Sequence, residues 1–210
     1  MRAPAGRSGR IYAIADVEAL HPTPLAAAVR DMAEAGIRWI QVRAKRLSGL
    51  ELFRQLDACS RALAGSGADL WVDDRADLAA LFPVAGLHVG QSDLPPAAAR
   101  RVVGPEVWIG LSTHGEEQLL AADADPEVDV IAVGPVFPTT GKERPDPAVG
   151  LGFLRWARTR TAKPLVAIGG IGASNVAEVL ATGADSAAVL GSVCRGDVRE
   201  NARRLLAAAG

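Results

Sequence analysis

Short apolar runs rich in β-branched residues recur along the chain. Each is followed by a longer stretch in which Ala, Leu and Arg fall at helical spacing. The runs predict strands over 11–15, 39–42, 70–72, 86–89, 107–111, 130–133, 165–168 and 186–190. Between them the 3.6-residue pattern predicts helices over 24–35, 49–63, 75–81, 96–102, 116–122, 151–157, 174–181 and 198–208. Ser174 stands where a helix N-cap is expected, and Gly36 and Gly183 stand where helices should stop. Strand alternating with helix calls for parallel pairing through crossover helices. Eight such units predict an α/β chain folded as a single-domain (β/α)8 TIM barrel over 11–210. The rival architecture, an open doubly wound sheet, would more often carry a glycine-rich loop after its first strand, whereas Asp16, Val17 and Glu18 follow here. Residues 1–10 are basic and turn-rich and are expected to form a disordered leader.

Composition narrows the picture. Of 210 residues, 49% are apolar but only 4% aromatic, which suits close-packed helices over a buried sheet rather than an aromatic-rich sandwich. The net charge of −1 gives no basic excess for nucleic acid or an anionic membrane, and no apolar run reaches spanning length. Without an apolar signal region the protein is expected in the cytoplasm. Cys59 and Cys194 lie far apart without metal-type spacing and read as buried free thiols of a reduced compartment. The sequence leaves assembly into a homo-oligomer open.

The polar residues follow the strands. Gln41, Arg43 and Lys45 follow the second; Asp73 and Asp74 the third; His88, Gln91 and Asp93 the fourth. Ser112 and His114 follow the fifth, a segment from Gly134 to Lys142 the sixth, Gly169 and Gly170 the seventh, and Gly191 and Ser192 the eighth. In a barrel these positions gather at the C-terminal rim, where such folds place their chemistry. Arg43 and Lys45 alternate along an extended segment, so both can face the mouth and grip an anion. Asp74 and Asp93 offer oxygen ligands suited to Mg2+ beside a diphosphate, although Asp74 can equally cap the helix that follows it. Glycines after strands seven and eight allow backbone amides to approach a phosphate. His88 and His114 end strand regions, where a hydrogen-bonded structural role is the commoner one. The four tryptophans read as packing residues. The stretch 138–149, with its Thr, Gly, Lys and prolines, has the length of a closing lid.

The segments QVRAK, VDDRADLA, GLHVGQSDLP, GLSTH, AVGPVFPTTGK, AIGGI and VLGSV occur in this order from about Tyr12 to Ser192. This arrangement resembles the thiamine phosphate synthase and thiazole tautomerase superfamily. The resemblance implies transfer of a pyrimidinylmethyl group from hydroxymethylpyrimidine diphosphate to a phosphorylated thiazole, with release of pyrophosphate. It also implies roles for individual residues. Arg43 and Lys45 would hold pyrophosphate, Gln41 and His88 would lie at the pyrimidine, and Ser112 would contact the diphosphate. Asp74 and Asp93 would hold Mg2+. Thr139 and Lys142 would belong to a phosphate-binding lid, and Gly169, Gly170, Gly191 and Ser192 would cradle the thiazole phosphate. The implied partners are therefore small phosphorylated molecules.

Three positions depart from the family pattern. Asp73 stands where Asn is usual before the metal Asp, Gly141 replaces the second lid Thr, and Ala44 replaces a Glu. Two other functions are weighed beside the synthase. The tautomerase branch carries a His where this chain has Pro135. A non-catalytic barrel binding a thiazole or thiamine phosphate is motivated by Asp73 and Gly141.

Overall fold

The computed structural model describes residues 9–139 and 147–210. Strands β1 (Ile11–Asp16), β2 (Trp39–Arg43), β3 (Asp69–Asp73), β4 (Gly86–Val89), β5 (Trp108–Thr113), β6 (Val130–Val133), β7 (Leu165–Ile168) and β8 (Ser186–Val189) close into a parallel barrel in chain order. Around it run α1 (Val17–Leu20), α2 (Leu25–Ala35), α3 (Gly49–Leu63), α4 (Ala76–Ala79), α5 (Pro96–Val103), α6 (Glu116–Ala124), α7 (Gly150–Arg160), α8 (Val176–Leu180), α9 (Gly191–Cys194) and α10 (Val198–Ala209). The predicted strands match to within two residues at each end. Helices α1 and α9 are additions, each only four residues long and so too short to show a period.

Two helix starts differ from expectation. Ser174 caps nothing: the first turn of α8 follows Asn175, whose Oδ1 instead accepts the Gly172 amide at 2.8 Å and closes a turn ahead of the helix. Asp74 does not cap α4 either. That helix begins after Arg75, has no side-chain cap, and is over by Ala79. Elsewhere the local signals act as written. Ser48 and Glu51 form a reciprocal capping box on α3, and Gly36 ends α2 at φ 111°.

Strand alternation divides the buried residues into two layers. Ile11, Ala13 and Ala15 of β1 face the helices, as do Ile40 and Val42 of β2. Tyr12, Ile14, Trp39, Trp71, Val130, Ala132, Val166 and Ala188 fill the barrel interior, with Trp108 packed against them. The rings of Trp39 and Trp71 lie 5.0 Å apart and those of Tyr12 and Trp39 5.6 Å apart edge to face. Each such pair adds roughly 0.5–1.5 kcal/mol beyond its buried area. β4 makes room for this plug: a Cβ at Gly86 would lie 2.3 Å from Trp71 Cε3. The tryptophans therefore floor the barrel, and only the inward positions above them are left for polar groups.

The opposite rim is latched by a device used twice. Asp129, just before β6, accepts from the Ile109 amide at 2.8 Å and from Arg100 Nη2 at 2.6 Å. Asp185, just before β8, accepts from the Leu165 amide and from Arg158 Nη1, both at 2.8 Å. The two arginines also donate to loop carbonyls, Arg100 to that of Gly104 at 3.1 Å and Arg158 to that of Lys163 at 3.1 Å. The charges at that end satisfy backbone groups where strands begin.

Candidate functional site

The inward positions of β1 and β2 rise above the aromatic floor in matched register, Ile14 beside Gln41 and Asp16 beside Arg43. Gln41 is buried and donates through Nε2 to the Tyr12 hydroxyl at 3.0 Å, so the floor fixes its amide. Arg43 pairs through Nη1 with Asp16 Oδ2, and its Nε lies 3.7 Å from Asp73 Oδ2. Lys45 contacts Asp74 Oδ2 and lies 3.4 Å from Asp73 Oδ2. The two cations thus do reach the mouth, but each already has an anionic partner from the protein.

Asp73 ends β3 pointing inward, two residues after Trp71. Burial, reinforced by the neighbouring Asp74 carboxylate, pushes its carboxyl up to about 6 against the pull of Lys45 and Arg43. Consecutive residues of a regular strand face opposite sides. Asp74 escapes this rule by adopting the left-handed conformation, φ 60°, the one described non-glycine residue at positive φ. Such a conformation costs about 1–3 kcal/mol and is characteristically found at functional sites. It lets two successive carboxylates serve one site: Asp74 reaches Lys45 and also faces Asp93, whose negative charge adds to burial in raising the Asp74 carboxyl. Asp93 is held by the Gly90 amide, which donates to its Oδ2 at 2.8 Å. Lys45 is shifted in the complementary sense. Burial alone would lower its ammonium, but Asp73, Asp74 and Asp93 raise it.

These carboxylates fit a hard divalent cation. Their donors are all oxygen, like charges are crowded together, and burial reinforced by that crowding raises Asp73 and Asp74. Among the described residues no three His, Cys, Asp or Glu side chains are gathered into a metal shell. Asp74 and Asp93 would supply two ligands, leaving the remaining positions to substrate oxygens and water, the usual habit of Mg2+.

His88 and Ser112 meet on the β4–β5 side of the mouth, Nε2 to Oγ at 2.8 Å, and Gln91 Nε2 donates to the Ser112 carbonyl at 2.7 Å. β5 makes room for the imidazole at Gly110, where a Cβ would lie 2.5 Å from His88 Nδ1. His114 is a strand-end tie: its Nδ1 lies 2.6 Å from the Gly134 carbonyl oxygen, joining the ends of β5 and β6.

Gly169 and Gly170 have φ 102° and 68°. A Cβ at either would collide with the loop after β6, at 2.5 Å from Pro135 Cα and 2.7 Å from Phe137 Cβ. Their first requirement is therefore close backbone packing. The loops after β7 and β8 then meet, Ser192 Oγ donating to the Ile171 carbonyl at 3.0 Å, while Asn175 Nδ2 braces the β7 loop by donating to the Gly170 carbonyl at 3.0 Å. Gly191 opens α9 on the same rim. Thr139 is half-buried at the end of the β6 loop. Lys142 and most of the expected lid lie outside the described residues.

Arg43, Lys45, Asp73, Asp74, His88, Asp93, Ser112, Gly169, Gly170, Gly191 and Ser192 therefore share one end of the barrel. Sequence reasoning passed over Asp16 as a partner of Arg43. The available signal was its place in the same inward alternation as Tyr12 and Ile14, at the last position of β1.

A family model described as thiamine monophosphate synthase matches residues 11–193. Among curated relatives, a thiamine-phosphate synthase of Koribacter versatilis is 43% identical over 201 residues, covering 94% of both chains. One from Vibrio parahaemolyticus is 36% identical, covering 90% of this chain and 91% of its own. Among solved structures, a thiamine phosphate pyrophosphorylase from Pyrococcus furiosus superposes with a TM-score of 0.85 at 31% identity, covering 95% of both chains.

Proposed function

The chain belongs to the thiamine monophosphate synthase family, and from that premise we propose how its rim performs the family's alkyl transfer. The reaction joins hydroxymethylpyrimidine diphosphate to a thiazole phosphate. The C–O bond between the pyrimidinylmethyl carbon and the diphosphate breaks, the thiazole nitrogen bonds to that carbon, and pyrophosphate leaves with the electron pair. The observation that carries the reading is the gathering of Arg43 and Lys45 around Asp73 and Asp74 in one mouth, with Asp93 facing Asp74.

The nitrogen nucleophile belongs to the substrate and the leaving group departs as an anion, so no protein nucleophile is needed. The site's task is to stabilise charge and to align two ligands. Mg2+ held by Asp74 and Asp93 would neutralise part of the developing charge on pyrophosphate. Arg43 presents a planar fork to the same oxygens, and Lys45 a point charge. Ser112, oriented by His88, offers a hydroxyl to the diphosphate, and Gln41, locked by Tyr12, lies at the pyrimidine. Gly169, Gly170, Gly191 and Ser192 line the cradle for the thiazole phosphate, with Thr139 and Lys142 as further phosphate contacts. Arg43 and Lys45 flank Asp73 and offset part of its charge, against burial and the neighbouring Asp74. That partial offset favours retained catalysis despite the departure from Asn. Pro135 argues against the tautomerase.

The proposed working domain is 11–210; most of the expected leader, 1–10, lies outside the described residues. The cytoplasm is its proposed location. Two buried free thiols support that reading, and among the described residues no helix is long and apolar enough to cross a membrane.

The test is formation of thiamine phosphate and pyrophosphate by purified protein from both precursors with Mg2+. Arg43→Ala should lower kcat/KM by an amount equivalent to about 2–4 kcal/mol, the scale of one preorganised donor. Absence of product from the unaltered chain, or turnover of a thiazole carboxylate phosphate alone, would refute the reading.

A further inference from the structure

We propose that Asp16 is the positioning residue for Arg43, a role that rests on the function proposed above. Asp16 is 4% exposed and ends β1 directly beside Arg43 in the strand register. Its two oxygens do different work. Oδ1 accepts from the amides of Glu18 at 3.1 Å and Ala19 at 2.9 Å, which fixes the carboxylate against the first turn of α1. Oδ2 pairs with Arg43 Nη1.

The consequence lies in what Arg43 would do otherwise. Its nearest other anion is the half-buried Asp73, whose Oδ2 is 3.7 Å from Nε. An arginine free to rotate onto Asp73 would give its planar fork to a protein carboxylate and lose orientation toward a bound oxyanion. Asp16 engages one of the five N–H donors and holds the long side chain upright between two strands, leaving the others for ligand. The two amide bonds from α1 orient the carboxylate. The short helix α1 thus has a purpose that its length alone does not explain.

Asn caps a helix about as well as Asp but carries no charge. Asp16→Asn therefore keeps the α1 cap and removes the ion pair, whereas Asp16→Ala removes both. Three readouts are needed: the thermal midpoint, kcat/KM, and calorimetric affinity for inorganic pyrophosphate with Mg2+. For Asp16→Asn the midpoint should stay near that of the unaltered chain, while kcat/KM falls about 10- to 100-fold, the scale of a misplaced charge, and pyrophosphate affinity falls with it. In an Arg43→Ala background, Asp16→Asn should change neither further. A capping role alone would leave Asp16→Asn fully active, or make its effect add to that of Arg43→Ala, and either outcome overturns the proposal. If the unaltered chain binds pyrophosphate but forms no product, the proposed function fails while the affinities still decide the role of Asp16. If it does not bind pyrophosphate, both fall.

Discussion

The ammonium of Lys45 rests against Asp74 Oδ2, so the cation expected to hold diphosphate is engaged with the carboxylate expected to hold the metal. A cation on Asp74 and an anion on Lys45 each compete with this pair. Lys45→Ala should therefore have opposite effects on two measurements. Mg2+ alone should bind about 2- to 5-fold more tightly, the value of a half-exposed ion pair, because Asp74 is released. Mg2+ with pyrophosphate should bind more weakly, because a positive charge beside the anion is gone. Calorimetric titration of both variants checks the inversion. Changes of the same sign in both titrations would show that Lys45 and Asp74 do not compete with the ligands.

Gly110 is a site determinant although it carries no functional group. A Cβ there would lie 2.5 Å from His88 Nδ1, inside any ordinary contact. Gly110→Ala should push the imidazole away, break its bond to Ser112 and destabilise the fold by about 1–3 kcal/mol through overpacking. Ser112→Ala is the companion variant, since it removes the hydroxyl without crowding. Denaturant midpoints should separate the two, with activity falling in both. An active Gly110→Ala with an unshifted midpoint would mean that β4 and β5 accommodate the methyl group.

The two rims should respond differently to loss of a carboxylate. Asp129 satisfies the Ile109 amide and Arg100 at the base of the barrel, far along the strands from the mouth. Asp129→Ala should leave Arg100 partly buried without that partner and cost about 1–3 kcal/mol of stability. The kcat of the folded protein should be unchanged, as expected for the stabilising face of such a barrel. A fall in kcat at temperatures where the variant remains folded would contradict the division of labour.

The sequence made the barrel legible because its strands are short apolar blocks and its helices carry a long period, two signals that do not overlap. It also located the mouth, since polar residues fall after strands. The details it hid are those that depend on alternation at strand ends and on backbone sign. Asp74 read as a metal ligand that could also cap a helix; it caps none, and the left-handed backbone that turns it to the mouth leaves no mark in the sequence. Asp16 read only as the residue that follows the first strand, because its role depends on pairing with Arg43, 27 residues away. The glycines after β7 read as a phosphate turn, whereas contact with Pro135 and Phe137 already demands them. Trp39, Trp71 and Trp108 read as packing residues, but their place inside the barrel follows only from register.

The two thiols offer a test of the rim loops by chemistry unrelated to catalysis. Burial pushes the Cys59 thiol up to about 12 and that of Cys194 to about 11, and only the thiolate attacks alkylating reagents. Both folded-state values lie above the ordinary 9.0, so the unfolded chain loses these protons first. Their contribution to stability is complete below about pH 9 and is lost as pH rises through the folded values. At pH 8, iodoacetamide should label neither cysteine in the native protein and both in guanidinium. Cys194 is the more informative of the two. Its Sγ donates to the Ile14 carbonyl at 3.2 Å, tying to β1 the short helix α9 that begins at Gly191 and Ser192. If that helix cradles a phosphate, inorganic phosphate should slow any residual labelling of Cys194 and leave Cys59 unaffected. Rapid native labelling of Cys194 that phosphate does not slow would show α9 opening freely, and would remove it from the binding site.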